Sequence, residues 1–396
     1  MSHKISLLIF SLFLSFSAAA AIEAKNEQSK TTWVTTTGLG YDSNIYQAPR
    51  AAYLDSAPAT PAMVTPVTQS GFFVPLEVKM TAEKNKNANN RWLGLASLKG
   101  DCYVSADTRN ANAYDLDLSG GREHVLGKKG VLEDTIFYGV FIGKHEQTYA
   151  DHDTGLEKST SAGSGISDSY SYTNIGIEAE YKHRIGNVDY GVKAKYTEKD
   201  FADFVVVSQQ DNTHLKVGAD VAFEVSSASK LKLAYSHAAQ NFSDRHARDA
   251  AGVLRSANPL LSYTYNSIGA SLRNRITADW VLYLDYDHVR RTDGYVAYND
   301  YTQNKTSARI LYGKGAVKAR LALERWTRNY PNAYAFDKAA RGKKTYDGSN
   351  LKFKADWEKS ADFSLWTEVI FNIQNSTDLR YDYERKLIMA GMTWVY

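Results

Sequence analysis

The stretch Tyr190–Lys199 reads YGVKAKYTEK. Tyr190, Val192, Ala194 and Tyr196 alternate with Gly191, Lys193, Lys195 and Thr197. Side chains of a β-strand change faces at every residue, so this is a strand with one apolar and one cationic face. Two environments accept it. One is a soluble sheet with core on one side and water on the other. The other is a barrel wall with lipid outside and a wet lumen inside.

The alternation recurs. Ile175, Ile177, Ala179 and Tyr181 interleave with Glu178, Glu180 and Lys182, and Leu215, Val217, Ala219, Val221 and Phe223 with Lys216, Asp220 and Glu224. Val317, Ala319, Leu321 and Leu323 interleave with Lys318, Arg320 and Glu324, and Leu351, Phe353, Ala355 and Trp357 with Lys352, Lys354, Asp356 and Glu358. Helical spacing fits these segments worse. Read this way, the chain holds about sixteen strands, roughly 32–47, 70–83, 90–104, 109–126, 131–149, 168–185, 187–200, 212–226, 230–242, 261–276, 279–292, 299–312, 316–327, 346–359, 363–375 and 379–396.

Short connections rich in Gly, Asn, Asp and Ser alternate with mostly longer polar ones at 42–70, 148–168, 201–212, 243–258 and 328–346. A soluble sandwich would use strands of about five or six residues and short turns at both ends. Here the strands run roughly ten to eighteen, their number is even, and the connections follow the short-then-long plan of an outer-membrane barrel. The expected fold class is all-β, an antiparallel transmembrane β-barrel of about sixteen strands over 32–396.

The first residues bear on the compartment. Lys4 precedes the apolar run Ile5–Phe16, and Ala19-Ala20-Ala21 offers a small-x-small cleavage point. Residues 1–21 are expected to be a signal peptide and 22–31 a short periplasmic segment, which places the protein in the cell outer membrane. Cys102 is the single cysteine, so no internal disulfide forms. Basic and acidic residues number 47 and 44, a near balance that argues against a nucleic-acid partner. The 27 tyrosines suit side chains held between an apolar layer and water. Trp33, Tyr41, Trp92, Tyr103, Tyr190, Tyr196, Trp280, Tyr286, Trp357 and Trp394 are expected to form interfacial girdles.

Energetics then assign the faces. A Lys or Arg against lipid near the midplane costs about 2–4 kcal/mol, so the interleaved charges face the lumen. Expected inward-pointing cations are Lys193, Lys195, Arg273, Arg275, Arg309, Lys318, Arg320, Lys352 and Lys354. Expected inward-pointing acids are Asp285, Asp287, Asp356 and Glu358. Five neighbouring strands carry most of the cations, so the wall has a basic arc that either guides anionic or polyhydroxylated solutes or is neutralised across strands.

Enzymatic readings are weaker. Asp285 and Asp287 share a face, but His288 points the other way and no matching second acid pair or serine is evident. The nine histidines are scattered, and the loop segment DHDTGLE, with Asp151, Asp153 and Glu157, lacks a full set of calcium ligands. No catalytic residue, metal or cofactor is expected.

Two segments carry resemblances. GLGYDSNIYQAPR, at Gly38–Arg50, resembles the opening of Gram-negative barrel families, nearest the β-barrel porins linked to exopolysaccharide loci and the barrel part of surface lipoprotein assembly modifiers. The latter carry a periplasmic helical-repeat domain, for which 22–31 has no room, and that departure counts against carrying over their translocation role. MAGMTWVY at the C-terminus resembles the signal by which the barrel-assembly machinery recognises its clients, with Tyr396 where Phe or Trp is usual.

The expectation is a porin-like channel for anionic or carbohydrate solutes. The alternatives are an export conduit for polysaccharide or surface protein with periplasmic partners, and a non-conducting surface or adhesion barrel. Outer-membrane lipid and lipopolysaccharide are the expected surroundings.

Overall fold

In a computed structural model, sixteen strands close into one antiparallel barrel. The structure describes residues 29–55, 62–87, 89–128, 132–158, 163, 165–202, 210–335 and 342–396. The signal peptide expected at 1–21 and most of segment 22–31 lie outside the described residues. The wall begins with β1 (Ser29–Asp42), and two short strands, β2 (Tyr53–Asp55) and β3 (Ala62–Val64), form a hairpin in the loop that follows. The wall continues with β4 (Gly71–Asn87), β5 (Asn90–Tyr103), β6 (Ala113–Lys128), β7 (Leu132–Gln147), β8 (Tyr172–Ile185), β9 (Val188–Phe201) and β10 (Asn212–Glu224). It is completed by β11 (Ser229–His246), β12 (Leu260–Arg275), β13 (Trp280–Asp293), β14 (Tyr301–Lys314), β15 (Val317–Tyr334), β16 (Lys343–Glu358), β17 (Phe363–Ser376) and β18 (Tyr383–Val395).

Each wall strand pairs with its sequence neighbours, and β1 pairs with β18 to close the ring. All sixteen strands expected from the alternation are present, with ends shifted by a few residues. The largest shifts have local causes. β1 stops at Asp42, not Gln47, because the Asn44 amide donates to Asp42 Oδ1 at 3.0 Å and turns the chain. β15 runs on to Tyr334, and β11 to His246, so both hairpins stand taller than their apolar segments alone suggest.

Period-two alternation becomes two surfaces. Ile175, Ile177 and Tyr181 on β8, Tyr190, Val192 and Tyr196 on β9, and Leu215 and Val217 on β10 are exposed apolar groups on the outside. Wall strands of 13 to 18 residues, tilted by about 40°, make an outer belt tall enough to span about 30 Å of hydrocarbon. Inside, Phe73, Tyr103, Trp366, Leu387 and Met389 form a cluster with Ile45 and Tyr46, which enter from the β1–β4 loop. Tyr103 therefore corrects the girdle expectation. It faces inward, is 6% exposed, and donates its phenol to Asp42 Oδ2 at 2.8 Å.

The closing seam needs close backbone approach. Gly38 on β1 lies opposite Gly391 on β18. A Cβ on Gly391 would sit 2.1 Å from the Thr37 carbonyl oxygen and 2.6 Å from the Trp366 ring. Gly391→Val is therefore expected to weaken the seam by about 1–3 kcal/mol, the usual cost of overpacking. Urea unfolding of the protein in lipid vesicles checks this, and an unchanged midpoint would refute it.

Candidate functional site

At the end opposite the short turns, loops fold over the lumen and interlock. The Tyr53 phenol donates to Asp153 Oδ2 at 2.6 Å, and the Val67 amide donates to the Asp153 carbonyl at 3.0 Å. His152 Nδ1 donates to the Tyr46 carbonyl at 2.6 Å, and Gln69 Nε2 to the Thr154 carbonyl at 2.6 Å. These bonds tie the β1–β4 loop to the β7–β8 loop. Asp151 is held by Lys158, and its Oδ1 accepts from the Asp153 and Thr154 amides. The Asp151 and Asp153 carboxylates thus serve the loop's own architecture.

A second lock joins the first loop to the last strand. Arg385 donates to Asp42 Oδ2 at 2.5 Å and 2.9 Å, and Asp42 is fully buried. Asn44 Nδ2 donates to the Glu384 carbonyl at 2.9 Å, and Arg50 Nε to Asp382 Oδ1 at 2.6 Å. A buried ion pair of this kind is expensive to break, because removing either partner strands the other charge. Tyrosines gather at the same entrance. Tyr149 and Tyr170 meet edge to face at 4.7 Å, and Tyr381 meets Tyr346 at 5.9 Å. Burial, then the neighbouring Tyr170 and Tyr381, pushes the Tyr149 phenol up to about 12, so it stays a neutral donor at physiological pH.

The thirteen charged residues expected inside all lie on the face opposite the lipid belt, by register with Phe137, Tyr263, Tyr283 and Trp366. They do not act alike. Lys318 pairs with Glu358, Lys352 with Glu368, and Lys354 with Asp356 at 3.5 Å; Arg320 reaches Glu368 at 4.0 Å. This side of the arc is neutralised, across strands by Glu358 and Glu368 and within β16 by Asp356. Lys195 lies 4.0 Å from Glu178 and over the Phe141 ring, and Lys193 stands opposite Glu180. Asp285 accepts from Ser271 at 2.5 Å and Ser307 at 3.2 Å, and Asp287 stands opposite Lys305. Arg273, Arg275 and Arg309 form no ion pair among the described residues. The Arg309 guanidinium lies 4.5 Å over Tyr283, which stands opposite Arg273, so the three form a row across β14, β13 and β12.

A second cationic row, which the alternation alone did not single out, lies nearer the entrance. Arg291 lies 4.2 Å from the Tyr263 ring centre and 4.3 Å from that of Tyr301. Its guanidinium donates to the Asn299 carbonyl at 2.6 Å and 3.0 Å. Arg328 lies 4.7 Å from Tyr301 and 5.6 Å from Trp326, and donates to Gln303 Oε1 at 2.8 Å. Neither forms an ion pair among the described residues. Tyr330 and Tyr346 continue the aromatic surface towards Tyr381. On β13, Tyr283 and Arg291 are eight residues apart, about 26 Å of strand. Between the two rows lie Asp285, Asp287 and the Lys305–Glu324 pair at 2.6 Å. The wall from β12 to β15 thus carries arginines without ion pairs among the described residues above and below an acidic waist.

No family model and no curated protein matches the chain. Among solved structures 324 chains match. OmpF of Salmonella typhi, in complex with daunomycin, aligns with a TM-score of 0.49 at 13% identity over 93% of this chain and 98% of its own. OmpT expressed in the outer membrane of Vibrio cholerae gives 0.44 at 10% over 94% and 99%. A Rh. blastica porin mutant gives 0.38 at 11% over 93% and 100%. These are likenesses of barrel architecture alone.

The interlock yields two predictions. Gly155 has φ +70°, and a Cβ there would meet the Tyr46 ring at 2.4 Å. Gly155→Val is expected to release the two loops while leaving the wall intact. Limited proteolysis should then cut near residue 155 at least about tenfold faster, with the thermal transition of the barrel unchanged. Burial raises the Asp151 carboxyl, but Lys158 and the loop amides outweigh it, and the net shift is downward. A carboxyl lowered in the folded state stabilises the loop above its unfolded value of about 3.9 and loses that contribution as pH falls through the folded one. The same cleavage should therefore stay slow from neutral pH down to about 4 and accelerate below it. Acceleration near pH 6 would refute the assignment.

Proposed function

We propose that this chain is an outer-membrane channel whose arginine- and tyrosine-lined wall passes small anionic solutes, acidic saccharides among them. The observation that carries the reading is the entrance row: Arg291 and Arg328, without ion pairs among the described residues, lie over Tyr263, Tyr301 and Trp326. A guanidinium offers forked donors to a carboxylate or phosphate, and an aromatic face beside it offers a flat apolar surface for a ring. The lower row of Arg309 and Arg273 supplies a second resting place, so an anion can leave one site for another. The β1–β4 and β7–β8 loops are bonded to each other at the entrance, and this reading takes that tie to favour small solutes over a polymer threaded for export. The reading gives the wall no catalytic role. It also takes residues 1–21 as the leader, and the last strand as the segment read by the assembly machinery.

Planar-bilayer recording tests this. The wild-type protein is expected to favour chloride over potassium, and R291Q/R328Q together should lower that permeability ratio about threefold or more. The paired change K318Q/E358Q should alter it far less, since it removes a cation together with its compensating carboxylate. An unaltered ratio in R291Q/R328Q would remove the entrance row from the mechanism, and an absence of conductance would favour the non-conducting barrel.

A further inference from the structure

The outer wall carries a feature that conduction does not use. Between β5 and β10 the apolar belt is indented by a groove of about 720 Å³. Its floor is made by Gly120, Ala179 and Ala194, and its sides by Trp92, Tyr138, Val140, Ile177, Tyr196 and Leu215. A Cβ on Gly120 would meet nothing closer than the Leu93 carbonyl oxygen at 3.9 Å, so the indentation is open space. Arg122 lines the same groove. In register it stands opposite Trp92 and Tyr138, on the lipid side of the wall.

An outward arginine demands a partner. Several outward charges have one: Lys144 with Glu146, Arg325 with Asp347, Lys386 with Glu384, and Asp134 with His183. Arg122 has the Trp92 ring, 5.4 Å away, and no carboxylate among the described residues. Its Nε is buried without a hydrogen-bond acceptor. The guanidinium thus lies beside an apolar trench with a donor unspent.

The direction of the groove fits one occupant. In one cross-strand row Trp92 lies two residues inside β5 from the short turn, Arg122, Tyr138, Ala179 and Ala194 each lie six residues inside their strands, and Val217 lies seven inside β10, while the row itself runs perpendicular to strands tilted from the membrane normal. The row therefore climbs from the short-turn end towards mid-membrane. Five inter-strand steps of about 4.8 Å make it about 24 Å long, and at a tilt of about 40° it rises about 15 Å, the depth of one leaflet.

We propose that the groove holds a membrane phospholipid, with its phosphate on Arg122 and one acyl chain laid along Gly120, Ala179 and Ala194 towards Leu215. The phosphate diester supplies the missing counter-charge to the guanidinium, and the chain covers the exposed alkyl surface. The lipid comes from the leaflet on the short-turn side.

The full chain, reconstituted in nanodiscs of phosphatidylglycerol and phosphatidylethanolamine and re-extracted in detergent, is read by native mass spectrometry. The wild type is expected to retain one phospholipid per barrel. R122Q should lower the retained fraction about tenfold, the scale of a lost charge-assisted contact. A194F, which keeps the guanidinium and fills the floor, should do the same, and G120L replaces it if A194F does not fold. Excess inorganic phosphate should not displace the lipid. Equal retention in all variants, or displacement by inorganic phosphate, would overturn the proposal. So would a wild-type multimer that carries no lipid and that R122Q and A194F convert to monomer, because a second copy of the chain would then cover the groove.

Discussion

In hydrocarbon no water satisfies a free amide or carbonyl, so each backbone polar group of the wall must find its partner within the protein. An open sheet fails this test at its two edges. The chain passes it only because β1 meets β18, and that meeting depends on Gly38 and Gly391 bringing two backbones close together. The outward alternation of apolar side chains, the inward alternation of charges and the even strand number all follow from that requirement. A wall of neighbouring antiparallel hairpins closes through an antiparallel pair, as here between β1 and β18, when its first and last strands run in opposite senses.

Within the closed wall, charge is arranged by depth and by side. Lysines of β15 and β16 are spent on Glu358, Glu368 and Asp356, which braces the wall and leaves little net field. Arg291, Arg309 and Arg328, on β13, β14 and β15, are set against tyrosine and tryptophan faces. A ring holds a guanidinium in place without cancelling its charge, whereas a carboxylate does both. The potential offered to a solute thus comes from the arginines, although lysines and arginines are interspersed along the same arc.

The strands and their faces were legible because a side-chain period of two is a strong signal over ten or more residues, as in Tyr190–Thr197. Pairing was not legible. Nothing in Lys352 or Arg320 announces that both reach Glu368, since that depends on register between separate strands. Arg328 fell one residue beyond the expected end of its strand, because β15 extends past its apolar stretch. Arg291 shares a face with Asp285 and Asp287 and could have been found by the same alternation. Tyr103 misled because a tyrosine at a strand end serves equally at a lipid interface or in a buried hydrogen bond, and only its neighbour Asp42 decides. The loop interlock joins residues about a hundred positions apart, beyond the reach of any local pattern.

The ties of Asp42, Ser43 and Asn44 to Arg385, Lys386 and Glu384 all cross the line where the first and last strands meet. The entrance therefore cannot take its final shape in a half-assembled cylinder. Completion of the vestibule thus requires that β1 and β18 have paired, and a barrel unsealed at its flank would be unfinished at its rim as well.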